Sequence, residues 1–65
     1  MHISLTMNVD NAAFKGENMV PEIVRILRKL ADDIDTNGVR GMKLRDVNGN
    51  TVGLFGILSD FKVVR

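Results

Sequence analysis

The amino-acid sequence predicts an α+β fold in which one helix packs on a three-stranded mixed sheet. Three observations predict it: residues 1–9 alternate between apolar and polar side chains, residues 23–34 carry an apolar stripe at helical period, and Asn48-Gly49 separates two apolar segments. The order strand, helix, strand, strand is typical of one small domain, here residues 1–65. If the helix makes a right-handed crossover, the first two strands are parallel and the third lies between them, antiparallel to both.

The first strand is predicted from a period of two over residues 1–9. Its apolar positions are Ile3, Leu5, Met7 and Val9. This alternation is typical of a strand with one buried face and one face in water. The turn-forming residues between Asp10 and Asn18 predict a loop after it.

A helix is predicted to begin near Pro21, because proline is tolerated in the first helical turn. Its apolar positions are Ile23, Val24, Ile26, Leu27, Leu30, Ala31 and Ile34. Asn37 and Gly38 favour the left-handed backbone that ends helices. The opposite face is predicted to be solvated, and its charged residues are Glu22, Arg25, Arg28, Lys29, Asp32, Asp33 and Asp35.

The second half of the chain is predicted to be a β-hairpin. Asn-Gly is the strongest short-range signal for a two-residue type I′ turn, and Asn48-Gly49 lies between Val47 and Val52. The arm after the turn has apolar residues at both odd and even positions. One packed face cannot bury them all.

The composition excludes several classes of function. Nine Lys and Arg against eight Asp and Glu give a net charge of +1, so no charge excess indicates nucleic-acid binding or disorder. The chain has no Cys and a single His, His2, which excludes thiolate metal sites and most histidine chemistry. We therefore expect no enzyme activity, no metal, no cofactor and no small-molecule substrate.

No apolar segment approaches the ~20 residues that cross a bilayer, so we expect no membrane contact. The first residues lack the basic and apolar pattern of a secretion signal. We expect a complete chain that functions in the cytoplasm.

Three carboxylates lie near the predicted end of the helix, at Asp32, Asp33 and Asp35. A helix C-terminus favours cations, so this unfavourable placement suggests an acidic contact patch for a partner. A solvated helix face is the simpler interpretation.

Three basic residues, Arg40, Lys43 and Arg45, form a second candidate patch. If Met42 and Leu44 face the helix, Lys43 and Arg45 project from the open face of the sheet, where basic side chains reach phosphates. Nucleic-acid binding is therefore an alternative function. The simpler interpretation is that these charges prevent edge-to-edge pairing of the sheet.

The apolar excess of the third strand and the C-terminal tail predicts an interface. If Leu54, Gly56 and Leu58 face the helix, the outward-facing residues are Phe55, Ile57, Phe61 and Val63. An exposed apolar stripe usually marks a contact surface, and a small domain gains stability by association. We therefore expect a homodimer, formed through the open sheet face or by swapped C-terminal strands.

Three segments occur together in this chain: NAAF at residues 11–14, RILRKLAD at residues 25–32 and LRDVNGNTVG at residues 44–53. In this combination and order the chain resembles a group of short, uncharacterised accessory proteins of tailed phages and prophages. The resemblance implies no reaction, cofactor or catalytic residue.

What the resemblance implies is a context, because small phage accessory proteins often bind and block a host enzyme or defence complex. We expect a non-catalytic protein that binds a bacterial host protein in the cytoplasm of the infected cell. Two alternatives stay open, a small nucleic-acid-binding protein that uses the sheet, and a structural or assembly protein of the virion.

Overall fold

The computed structural model describes residues 1–59. Its elements are strand β1 (His2–Met7), two short 3-10 turns (Ala12–Phe14 and Gly16–Asn18), helix α1 (Met19–Asn37), strand β2 (Gly41–Arg45) and strand β3 (Thr51–Leu58). The predicted α+β class, with one helix and three strands, is confirmed.

The sheet has β3 at its centre, paired with β1 on one side and β2 on the other. Both pairings are antiparallel, and Phe55 lies opposite Leu5 of β1 and opposite Met42 of β2. β1 and β2 run in the same direction but are not neighbours, so every pair of neighbouring strands in the described sheet is antiparallel. The expectation of a mixed sheet is therefore wrong.

The core lies between α1 and the inner face of the sheet. Its buried apolar residues are Ala13, Phe14, Ile26, Leu30, Leu44, Val52 and Phe55. Ile26 and Leu30 are the buried apolar positions of α1, whereas Val24 and Leu27 stay exposed. The apolar stripe of the helix is therefore wider than its contact with the sheet.

The segment predicted as a loop after β1 contributes to this core. The turn Ala12–Phe14 buries Ala13 and Phe14, and Phe14 is one of the two largest fully buried side chains among the described residues. The main-chain N–H of Phe14 donates to the carbonyl of Asn11 at 3.0 Å. This turn therefore fixes an aromatic side chain below the start of α1.

The helix ends as predicted. Gly38 follows Asn37 with a left-handed backbone, φ +62°, and its N–H donates to the carbonyl of Ile34 at 3.0 Å. This hydrogen bond satisfies a carbonyl of the last turn that would otherwise lack a partner.

The β2–β3 hairpin is confirmed, but the two-residue type I′ turn is wrong. Such a turn requires a positive φ at both central residues, and among the described residues only glycines have one. Gly49 has φ +86°, while Asn48 does not. The N–H of Gly49 instead donates to the carbonyl of Asp46 at 2.9 Å, which closes a β-turn over residues 46–49.

A β-bulge in β3 changes which of its side chains face the core. Leu44 lies opposite Gly53 and Arg45 opposite Thr51, so Val52 is an extra residue between them. A bulge bends the strand and re-aims its side chains. Val52 is buried in the core as a result, together with Phe55.

Gly53 is the position of this bulge that tolerates no side chain. A Cβ there would overlap the main-chain carbonyl oxygen of Thr6 and lie 2.9 Å from the Cα of Met7. We expect Gly53→Ala to lower the free energy of unfolding by about 2 kcal/mol or more, the scale of overpacking in a tight site. Urea unfolding followed by far-ultraviolet circular dichroism measures this change.

Gly41→Ala is the matched control, because Gly41 is also a strand glycine. A Cβ at Gly41 would meet only the carbonyl oxygen of Phe55, at an ordinary 3.5 Å. Equal destabilisation by both substitutions would show that the close approach of β1 to Gly53 is not what requires glycine.

Candidate functional site

A cluster of hydrogen-bonded polar side chains joins the first turns of α1 to the β2–β3 turn. We call it the polar clamp and define it by Asn11, Glu22, Arg25, Asp46 and Asn50. Glu22 is only 7% exposed although it is charged. Its assignment to a solvated helix face is therefore wrong.

Glu22 makes the contact between helix and hairpin. Arg25 donates to both carboxylate oxygens of Glu22, at 2.9 and 2.8 Å, and the main-chain N–H of Val47 donates to Oε2 at 2.7 Å. Arg25 also donates to the carbonyl of Arg45 at 3.3 Å. The guanidinium of Arg25 lowers the pKa of Glu22, burial opposes this, and the Val47 N–H lowers it further.

Asp46 organises the β2–β3 turn from inside. Its Oδ1 accepts the main-chain N–H groups of Asn48 and Asn50, both at 2.9 Å. Its Oδ2 accepts the side-chain amides of Asn11 at 2.7 Å and Asn50 at 3.2 Å. Burial alone would raise the pKa of Asp46, but these hydrogen bonds outweigh burial and lower it.

The clamp is suited to holding structure together and not to proton transfer. Both carboxylates accept hydrogen bonds from internal donors that stabilise their charged forms, and general acid–base catalysis needs a group near its pKa at the working pH. Residues 1–59 contain no cluster of three or more His, Asp or Glu placed to hold a metal ion.

A groove of about 330 Å³ runs between α1 and the edge strand β2. Ile26, Met42 and Leu44 form part of its floor, and its basic lining residues are Arg25, Lys29, Lys43 and Arg45. Two of these charges are already paired, Arg25 with Glu22 at 2.8 Å and Lys29 with Asp33 at 3.0 Å. The groove therefore offers less free positive charge than its lining suggests.

The outer face of the sheet, away from α1, carries a second recess of about 640 Å³. We call this the outer sheet surface and define it by six of the lining residues: Ser4, Thr6, Lys43, Leu54, Gly56 and Leu58. Leu54 is 60% exposed and Leu58 is 45% exposed. Thr6, Leu54 and Lys43 form one row across the three strands, because Leu54 lies opposite each of the other two.

A third apolar surface lies on the inner side, where β1 extends past the helix. We call it the β1 surface and define it by Ile3, Leu5, Val20, Val24 and Leu27. All five are exposed, with Ile3 at 65% and Val20 at 66%. The predicted buried face of β1 is therefore buried only in part, because Met7 and Val9 pack against the core while Ile3 and Leu5 do not.

The predicted outward orientation of β3 is wrong. Phe55 is 4% exposed in the core and Ile57 packs against that core, so both face the helix side. The bulge at Val52 changes the alternation, and Leu54 and Leu58 point outward instead. Two other predicted interface residues, Phe61 and Val63, lie outside the described residues.

One member of the predicted acidic patch, Asp33, differs from the other two. Asp32 and Asp35 are exposed, whereas Asp33 is half-buried and paired with Lys29. Lys43 and Arg45 are two residues apart on β2 and therefore lie on the same face of the strand. Arg40 precedes the strand, and its main-chain carbonyl accepts the N–H of Ile57 at 2.8 Å. Arg45 donates to the carbonyl of Gly49 at 3.2 Å.

Comparison with known protein families, curated proteins and solved structures gave no match to this chain. No helix within residues 1–59 is long and apolar enough to cross a membrane.

Removal of the Asp46 carboxylate is expected to destabilise the hairpin and its contact with residues 10–14. Asp46→Ala leaves two main-chain N–H groups of the turn and the Asn11 amide without their acceptor, and unsatisfied buried donors are costly. The urea midpoint should fall clearly. Asp35→Ala, the same change at an exposed helix position, is the control; an equal fall in both variants would contradict the role of Asp46.

Acid is expected to weaken the clamp. The pKa values of Glu22 and Asp46 are lowered in the folded protein, so their stabilisation is complete above the ordinary values of 4.5 and 3.8 and is lost as pH falls through the lowered values. The urea midpoint should therefore decrease as the solution is acidified below about pH 4.5.

Glu22→Gln removes one of the two titrating groups. This variant should be less stable than the wild type at neutral pH and should lose less further stability on acidification. An acid dependence as steep as that of the wild type would show that Glu22 does not contribute to it. Glu17→Gln, on the exposed turn Gly16–Asn18, controls for the loss of one negative charge.

Proposed function

We propose that this protein is a non-catalytic binding protein whose outer sheet surface contacts a partner protein. The observation that carries the proposal is the pair of exposed leucines on the central strand, Leu54 and Leu58. Their strand is hydrogen-bonded on both sides. A rigid strand presents side chains with little loss of conformational freedom on binding, which favours affinity.

The outer sheet surface has a depression between Leu54 and Leu58 that suits a protruding apolar side chain of a partner. Ser4 and Gly41 both lie opposite Gly56, so the row between the two leucines has almost no side-chain volume. A partner side chain that enters this row would contact Leu54 on one side and Leu58 on the other. Buried anchors of this kind supply most of the free energy in protein interfaces.

Lys43 adds a charge requirement at the rim of the same surface. It is exposed and lies opposite Leu54 across the β2–β3 pair. A carboxylate on the partner, beside the apolar anchor, would complement it and favour correct orientation. The resemblance to phage accessory proteins suggests a bacterial host protein in the cytoplasm as this partner, with inhibition as the consequence of binding.

Nucleic-acid binding is the second candidate, favoured by the basic lining of the groove between α1 and β2. Its support is weaker because Glu22 and Asp33 neutralise two of the four basic side chains. Among residues 1–59 the only Phe, Tyr or Trp side chains are Phe14 and Phe55, and both are buried. No described Phe, Tyr or Trp ring is therefore available to stack on bases.

An affinity capture from bacterial lysate tests the proposal, with tagged wild type, Leu54→Lys and a surface control compared side by side. Leu54→Lys places a charge at the predicted anchor without touching the core. Glu17→Gln, on the exposed turn Gly16–Asn18, is the control. We expect a protein that the wild type and the control retain after nuclease treatment and that Leu54→Lys loses.

Three results would contradict or redirect this assignment. A partner retained equally by Leu54→Lys would exclude the outer sheet surface. Loss of every partner on nuclease treatment would favour nucleic-acid binding, which should then weaken as salt concentration rises. A captured virion protein would favour an assembly role.

A further inference from the structure

Strand β1 is an open edge of the sheet. Among residues 1–59 it pairs with β3 on one side and with no strand on the other. The N–H of Asn8 donates to the carbonyl of Val52 at 2.7 Å, toward β3. Because main-chain groups alternate along a strand, those of Ile3, Leu5 and Met7 point to the opposite side, along the free edge.

The same three residues carry the apolar side chains of the inner face of β1. Leu5 lies opposite the buried Phe55, and Ile3 lies opposite Ile57, so all four share the face that α1 covers elsewhere. The helix does not extend over Ile3 and Leu5, which stay exposed. Open main-chain groups and an open apolar face therefore coincide at one edge.

The flank of α1 that faces this edge is apolar as well. Arg25, Ile26 and Lys29 line the groove toward β2. At 100° per residue, Val20, Val24 and Leu27 lie on the other flank, and all three are exposed. The exposed apolar residues of β1 and those of this helix flank therefore lie on the same, inner side of the sheet.

The sequence of β1 lacks the features that normally protect an edge strand. Residues 1–9 contain no Lys, Arg, Asp, Glu or Pro, whereas the other edge, β2, carries Lys43 and Arg45. Charged side chains on an edge strand are a usual means of preventing edge pairing. One edge is protected and the other is not.

We propose that β1 pairs antiparallel with β1 of a second copy of this chain, about a two-fold axis at Leu5. In that register Leu5 lies opposite Leu5 of the second copy, and Ile3 lies opposite its Met7. Every inner-face side chain then meets an apolar one, and the open main-chain groups form the hydrogen bonds of an antiparallel ladder. An isologous contact of this kind closes as a dimer.

A second copy fits this edge better than an unrelated peptide because β1 itself has the sequence pattern that a strand paired with β1 needs. The occupant must be an uncharged strand whose alternate residues are apolar in the same register, and His2–Met7 has that pattern. The result is a six-stranded sheet with both helices on one side. This dimer differs from the predicted ones, which used the open sheet face or swapped C-terminal strands.

Sedimentation analysis across a dilution series tests the pairing, with interference detection because the chain has no Trp or Tyr. We expect the wild type at about twice the 7.2 kDa chain mass. Leu5→Lys brings two like charges together at the axis and should halve the mass while circular dichroism shows an unchanged helix. Leu54→Lys, on the other face of the sheet, should stay dimeric.

A cysteine variant keeps the test decisive if Leu5→Lys fails to fold. The chain has no Cys, so Leu5→Cys introduces a single thiol that faces its own copy across the axis. Oxidation should give a covalent dimer in high yield, and Leu54→Cys should not. A monomeric wild type, or a dimer that Leu54→Lys disrupts and Leu5→Lys does not, would overturn the proposal without bearing on partner binding by the outer sheet surface.

Discussion

The structure depends on a mismatch of widths between one helix and three strands. A helix with its side chains is ~10–12 Å across, and three strands spaced ~4.8 Å apart present a wider face once their own side chains are counted. With a single helix, Met19–Asn37, and three strands in the described chain, one edge of the inner face stays uncovered. The exposed apolar residues follow from this constraint.

The polar clamp decides which edge is uncovered. Glu22 accepts the N–H of Val47 and pairs with Arg25, which in turn donates to the carbonyl of Arg45. These bonds hold the first turns of α1 over the β2–β3 turn. The helix therefore covers β2 and the centre of the sheet, and β1 is the strand left open. The pair of buried Glu22 and half-exposed Arg25 thus helps to determine where the apolar surface lies.

The sequence predicts the local elements because their signals are local. The alternation of residues 1–9, the helical spacing from Ile23 to Ile34 and the stop at Gly38 each lie within a few residues of the element that they define. Phe14 was missed as a core residue because nothing near it in sequence distinguishes a buried aromatic in a short turn from one in a solvated loop.

The orientation of β3 could not be predicted because it depends on one extra residue at the bulge. Val52 enters the core there and reverses the expected positions of Leu54 and Phe55. The signal that could have indicated it is Gly53, whose close approach to Thr6 excludes a side chain.

The burial of Glu22 could not be predicted either, since this carboxylate accepts a hydrogen bond from Val47, which is distant in sequence. The type of turn was indicated by the sequence, because Asp is favoured at the first position and Gly at the fourth position of a β-turn, as at Asp46 and Gly49.

The two open faces are compatible because they lie on opposite sides of the sheet. Pairing of β1 strands about an axis normal to the sheet leaves Leu54 and Leu58 of both copies exposed, and both sets then point in the same direction. If the outer sheet surfaces bind as proposed, two of them on one dimeric sheet raise the effective concentration of the second contact once the first has formed. A weak contact at each outer sheet surface could then give firm attachment to a target that is itself symmetric or repeated. A small domain would thereby gain affinity through the number of its contacts, with no increase in the size of either contact.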